Sequence, residues 1–72
     1  MQTSDATMNE REELVEGGFT SVIDAAEFLD VSRTTLYQLM DTGKLRYAKI
    51  GKCRRIPRRE LLKFAAESMV GR

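Results

Sequence analysis

At 72 residues the chain has room for one small domain, not for two cores or a large catalytic cleft. One Cys and no His exclude an internal disulfide and argue against a zinc site, and no apolar run approaches the roughly 20 residues that span a bilayer. The net charge of +1 hides a division that predicts a polyanion partner for one half: residues 1–18 net −4, residues 19–72 net +5, and the stretch from Lys44 to Lys63 alone nets +8.

Residues 1–8 are small and polar and read as disordered; residues 1–18 together form a flexible acidic arm ahead of a folded domain at 19–72. The first ten residues lack the basic start and apolar stretch of a signal peptide, so the expected compartment is the cytoplasm. Asn9 is placed to cap a short helix through Val15, Glu12 holds the capping-box position, and Gly17-Gly18 ends it. That helix has only Leu14 and Val15 to bury. Phe19-Thr20 reads as a short extended lead-in. Ser21 with Asp24 three residues on is an N-cap with an acid at the third helical position; Val22, Ala25, Ala26 and Leu29 then recur at helical spacing and predict a helix from Val22 to Leu29. Asp30 tolerates the left-handed conformation that a tight turn needs. Ser32 caps the next helix, on which Leu36, Leu39 and Met40 share one face with Val31 packing below. Thr34, Tyr37, Gln38 and Asp41 fall on the opposite side, and Gly43 ends the helix.

Leu45–Ile50 and Cys53–Ile56 read as strands joined by a two-residue Gly51-Lys52 hairpin turn. Pro57 stops the ladder and suits the first turn of a last helix, which runs to about Met69 on a stripe of Leu61, Leu62, Ala65 and Met69, with Gly71 ending it. The order is helix, helix, two-stranded wing, helix. It predicts a mainly α fold with a small β-hairpin, a winged helix-turn-helix.

Catalysis is not expected. A Ser or Cys nucleophile has no His to serve as base, and Cys53 reads as an ordinary wing residue. Gly51-Lys52 lacks the earlier Gly and the following hydroxyl of a phosphate-binding loop. Asp24, Glu27 and Asp30 are explained by capping and by solvent. No catalytic residue, metal or cofactor is therefore expected, and no membrane partner. Nucleic-acid binding fits better. Ser32, Arg33, Thr34 and Thr35 combine backbone amides, hydroxyls and a guanidinium at a helix start, the groups that grip phosphates and read base edges. Gln38, one turn beyond Thr34, is suited to adenine, and Tyr37 offers a phenol to a phosphate and a ring to packing. Against this stands a solvated helix face for Arg33, Thr34, Thr35 and Gln38, and partial burial for Tyr37. In the hairpin, Lys49 falls opposite Arg54, with Lys52 and Arg55 crowding the same tip. Facing like charges destabilise a strand pair, a cost that a bound anion would offset. Arg58, Arg59 and Lys63 either extend this surface or solvate the last helix.

Ser21-Val22, Asp24 to Glu27, Leu29, Val31 to Arg33, Thr35 to Tyr37, Gly43 to Leu45, Ile50 to Lys52 and Arg55 to Pro57 together resemble the excisionase family of winged helices, which is similar to the DNA-binding domain of MerR-type regulators. The resemblance covers roughly residues 19–64. It departs at Asp30, where Gly is common, and at Arg54, where an aromatic is common; the second departure removes a core-facing ring from the wing. The resemblance implies that Ser32 to Gln38 lie in the major groove of double-stranded DNA and that Lys52 to Arg55 follow the adjacent minor groove. It further implies a recombination directionality factor of a phage or mobile element, binding repeated sites, bending DNA and helping a tyrosine-family integrase excise. A small MerR-like transcriptional regulator uses the same surface, and a protein-interaction adaptor is a third reading. The charge division adds an expectation of cooperative head-to-tail self-association on DNA, with Glu10, Glu12, Glu13 and Glu16 of one copy meeting Arg58, Arg59 and Lys63 of the next.

Overall fold

Ser21 and Ser32 begin the two central helices by the same device. In the computed structural model, which describes residues 10–71, the Ser21 hydroxyl accepts the Asp24 N–H at 3.1 Å and opens α2 (Val22–Leu29). The Ser32 hydroxyl accepts the Thr35 N–H at 3.1 Å and opens α3 (Arg33–Asp41). Each cap satisfies an amide that the first turn of a helix leaves without a partner. Ahead of them lie α1 (Glu10–Val15) and β1 (Phe19–Ser21); behind them come β2 (Ala48–Ile50), β3 (Cys53–Pro57) and α4 (Arg58–Glu67). The expected cap Asn9 and residues 1–8 lie outside the described residues.

Both central helices also end alike. Asp30 adopts φ 58° and ψ 47°, its N–H donates to the Glu27 carbonyl at 3.1 Å, and the Val31 N–H donates to the Ala26 carbonyl at 3.0 Å. At the end of α3, Gly43 (φ 79°) donates to the Met40 carbonyl at 3.1 Å and Lys44 to the Leu39 carbonyl at 2.9 Å. This pair of back-bonds is the Schellman termination, which satisfies the last carbonyls of a helix. Asp30, Val31 and Ser32 alone separate the two helices, so α2 and α3 form the helix-turn-helix that their caps predict.

The strands depart from expectation in two ways. Phe19-Thr20 is not a mere lead-in: β1 pairs antiparallel with β3 in the register Phe19–Pro57, Thr20–Ile56 and Ser21–Arg55, giving a three-stranded sheet of order β1-β3-β2 in place of a lone hairpin. The wing strand also starts at Ala48, not at Leu45. The Lys44 and Leu45 amides both bond back to the Leu39 carbonyl, at 2.9 and 3.1 Å, so the chain is still closing α3 there and Leu45 drops into the core. Pro57 stands one position ahead of α4 and closes β3; the first α4 amide, of Arg58, donates to the Gly18 carbonyl at 2.9 Å.

Val22, Ala25, Ala26, Leu36, Met40, Leu45, Ile56 and Leu61 make the core, with Leu29, Val31, Leu39 and Phe64 packed against it. The apolar stripe of α4 differs from the expected one. Leu61 is buried and Phe64 and Ala65 are half-buried, whereas Leu62 and Met69 are exposed. The helix ends at Glu67, where the bonding tightens: the Ser68 amide is shared between the Phe64 and Ala65 carbonyls, at 3.0 and 3.2 Å, and the Met69 amide reaches only the Ala66 carbonyl, at 3.3 Å, leaving Met69 beyond the last full turn. Glu60, read in the sequence only as one acid in a basic run, is buried: its carboxylate accepts the Arg46 N–H at 3.3 Å and ties the α3–β2 link to the first turn of α4. A carboxylate is also favoured there by the helix dipole. α1 lies against α4, and Glu16 pairs with Arg59 at 3.0 Å.

The left-handed Asp30 carries a backbone cost that Gly does not. Asp30→Gly is expected to raise the free energy of unfolding by up to about 1 kcal/mol, the steric relief being partly offset by the greater freedom of Gly in the unfolded chain. Urea denaturation measures it, and a lowered midpoint would show that the Asp side chain contributes more than its strain.

Candidate nucleic-acid interface

The burial of Leu36 and Met40 turns the other side of α3 outward, and Arg33, Thr34, Tyr37, Gln38 and Asp41 are all exposed there. The wing is set beside this face by its turn. Gly51 has φ 62° while Lys52 keeps a negative φ, the sign pattern of a type II′ turn, which matches strand twist. The resulting register pairs Ile50 with Cys53 and Lys49 with Arg54, as the spacing predicts.

Seven of the ten residues expected to touch DNA share one open groove. Arg33, Thr34 and Tyr37 line it from α3, and Lys49, Lys52, Arg54 and Arg55 from the wing; Cys53 of the wing and Ser21, Val22 and Ile23 at the β1–α2 junction complete it. Ser32, Thr35 and Gln38 do not line it. The Ser32 hydroxyl is engaged in the cap, accepting the Thr35 N–H while donating to the Thr35 hydroxyl at 3.0 Å, so these two residues shape the helix start. Gln38 is exposed one turn beyond Thr34.

Within the groove the cations differ in environment. Lys49 and Lys52 are exposed. Arg55 is half-buried, and its guanidinium donates to the Arg54 carbonyl at 3.1 Å. The Arg54 side chain is 28% exposed; its guanidinium donates to Asp41 at 3.1 Å and lies 5.1 Å from the Tyr37 ring centroid and 4.6 Å from that of Tyr47. Part of the anion that the Lys49–Arg54 opposition calls for is therefore supplied inside the protein, by Asp41. Sequence reasoning left Asp41 and Tyr47 out of the site. The available signal was spacing: Asp41 is one helical turn from Tyr37, and Tyr47 is two residues ahead of Lys49, on the same side of an extended chain.

The second charged surface is split. Arg59 pairs with Glu16, both side chains about half exposed, while Arg58 lines a separate groove with Asp24 and Glu27. Glu12, Glu13 and Lys63 are exposed, and Glu10 is the first residue of α1. Among the described residues no group of three or more His, Cys, Asp or Glu is arranged to hold a metal, and no helix is long and apolar enough to cross a membrane.

Comparison with curated proteins and with solved structures gave no significant match. A family model, that of a helix-turn-helix domain, matches residues 21–69, from the cap of α2 through the wing to the segment beyond α4. Domains of that kind are DNA-binding modules and not catalysts. With its two capped helices, its wing and the basic groove between them all inside the matched region, the chain belongs to the helix-turn-helix domain family and is a DNA-binding winged helix-turn-helix protein.

Proposed function

We propose that the protein is an excisionase, a recombination directionality factor that binds tandem sites on double-stranded DNA, bends it and promotes excision of a mobile element by a tyrosine-family integrase. The observation that carries this reading is the basic groove shared by α3 and the wing, to which Ser21, Val22, Arg33, Tyr37, Lys52 and Arg55 contribute from the motifs that resemble the excisionase family. In this reading α3 enters the major groove, with Arg33, Thr34, Tyr37 and Gln38 meeting base edges and phosphates. The Ser32 cap presents the first amides of α3 to the backbone. Lys49, Lys52 and Arg55 follow the adjacent minor groove.

One winged helix covers a short site, so bending DNA over a longer stretch needs several copies in line. The charge division supports a heterologous contact, α1 of one copy against α4 of the next, which propagates along DNA without closing a dimer. Within one chain α1 already lies against α4, so the contact between copies adds to that packing and does not replace it; only the exposed Glu16–Arg59 pair, worth about 0–1 kcal/mol, is open to exchange.

Three outcomes are expected. With about four to six phosphates contacted, log affinity falls against log salt with a slope near −4 to −5, and Lys49→Ala or Lys52→Ala each reduces it by about one on every sequence; a slope near zero in a salt-titrated gel shift would sink the phosphate-binding wing. Arg33→Ala or Gln38→Ala costs about 1–3 kcal/mol on the cognate site and relaxes preference at one base pair; equal losses on unrelated DNA would make them phosphate contacts only. Footprinting on DNA flanking the gene should show repeated sites that fill cooperatively, and removal of residues 1–16, which spares Gly18, should lower the cooperativity while leaving single-site binding intact. Protection of one isolated operator would favour a regulator, and unchanged cooperativity would leave α1 without a part in assembly.

A further inference from the structure

We infer that Arg54 is a positioning residue: it clamps the wing to the recognition helix and does not itself hold a phosphate. The inference concerns the same groove and rests on the reading of α3 and the wing as the DNA-binding face.

Tyr37 and Asp41 stand one turn apart on the outward side of α3, so they are neighbours on that face of the helix and one side chain can reach both. Arg54 reaches both from the central strand of the sheet, with Asp41 at 3.1 Å and the Tyr37 ring at 5.1 Å; the Tyr47 ring, at the base of β2, approaches the same guanidinium at 4.6 Å. One planar cation thus joins three pieces of chain: the recognition helix, the lead-in to β2, and β3. Its side chain is only 28% exposed, against 62% for Asp41. Moving Arg54 out to a phosphate would forfeit both ring contacts and leave Asp41, an acid at the unfavourable end of its helix dipole, without its partner. Lys49, paired opposite in the ladder and exposed, has no such restraint and is the better phosphate ligand of the two.

A guanidinium is required for this arrangement. Its flat face stacks on rings while its edge donates to a carboxylate; an ammonium is a compact point charge that does neither in the same geometry. A phosphate contact, by contrast, tolerates Lys. The test uses the full chain with Arg54→Lys, Arg54→Ala, Asp41→Asn and, as a plain phosphate-contact control, Lys52→Ala. Amide hydrogen exchange of the free protein is read at residues 48–55, with Leu36 reporting global stability, and DNA affinity is read across a salt series. All three clamp variants should speed exchange in the wing but not at Leu36. Arg54→Lys and Arg54→Ala should weaken DNA binding by a similar factor, roughly 5- to 30-fold, with the salt slope unchanged, whereas Lys52→Ala lowers the slope by about one. Wing exchange that stays at the wild-type rate in Arg54→Ala overturns the clamp. So does an Arg54→Lys variant that binds like wild type while Arg54→Ala loses one unit of slope, since that is the behaviour of a phosphate ligand. Faster wing exchange with DNA binding untouched in every variant, Lys52→Ala included, supports the clamp and overturns the assignment of this face to DNA.

Discussion

The register of the Gly51-Lys52 hairpin is the constraint on which the rest depends. Side chains alternate across a strand, so a slip of one residue would turn every side chain of β3 to the opposite face. In the observed register Ile56 fills the core and Arg54, two residues earlier on the same side, reaches α3. β3 also lies between β1 and β2, so the same alternation fixes where the chain enters α2 and where Pro57 delivers it into α4. The left-handed Gly51 is what keeps the loop to two residues.

Electrostatics in this molecule is local. A net charge of +1 would describe a nearly neutral particle, yet the wing and α3 present Arg33, Lys49, Lys52 and Arg55 around one groove, while the acids Glu12, Glu13 and Glu16 lie on the α1 side. Two acids sit inside the basic region and each has a structural task. Asp41 holds Arg54, and buried Glu60 holds the Arg46 amide. Counting both as neutralising charge would miss that they shape the surface on which the free cations stand.

The parts of the fold legible in the sequence are those set by short-range chemistry. Ser21 with Asp24, Ser32, Asp30 and Gly43 fix both ends of α2 and α3 within a few residues of chain, and Gly51-Lys52 fixes the hairpin, so these could be read directly. The rest depends on partners distant in the chain. Phe19-Thr20 reads as extended, but a segment of three residues becomes a strand only where β3 accepts it. Leu45 looks like a strand residue until the back-bonds to Leu39 are seen. On α4 the choice of Leu61 and Phe64 over Leu62 and Met69 is made by the direction from which the core approaches. The groove residues were found by type and spacing, whereas the role of Arg54 needed its neighbours, Asp41 from one helical turn beyond Tyr37 and Tyr47 from the loop.

The β1–β3 pairing has a consequence for how the molecule assembles. It joins residues 19–21 to residues 55–57, the longest loop the sheet must close, whereas the helix-turn-helix and the hairpin each form from neighbours in sequence. Closing a longer loop costs more entropy and comes later in folding. Until β1 docks, one side of β3 is an open strand edge, the feature that invites pairing with another chain. That edge carries Arg54 and Arg55 directly before Ile56, and like-charged side chains beside an apolar strand residue discourage such pairing. The arginines that shape the finished groove, Arg54 by reaching α3 and Arg55 by lining it, therefore also guard the half-formed protein against its own copies.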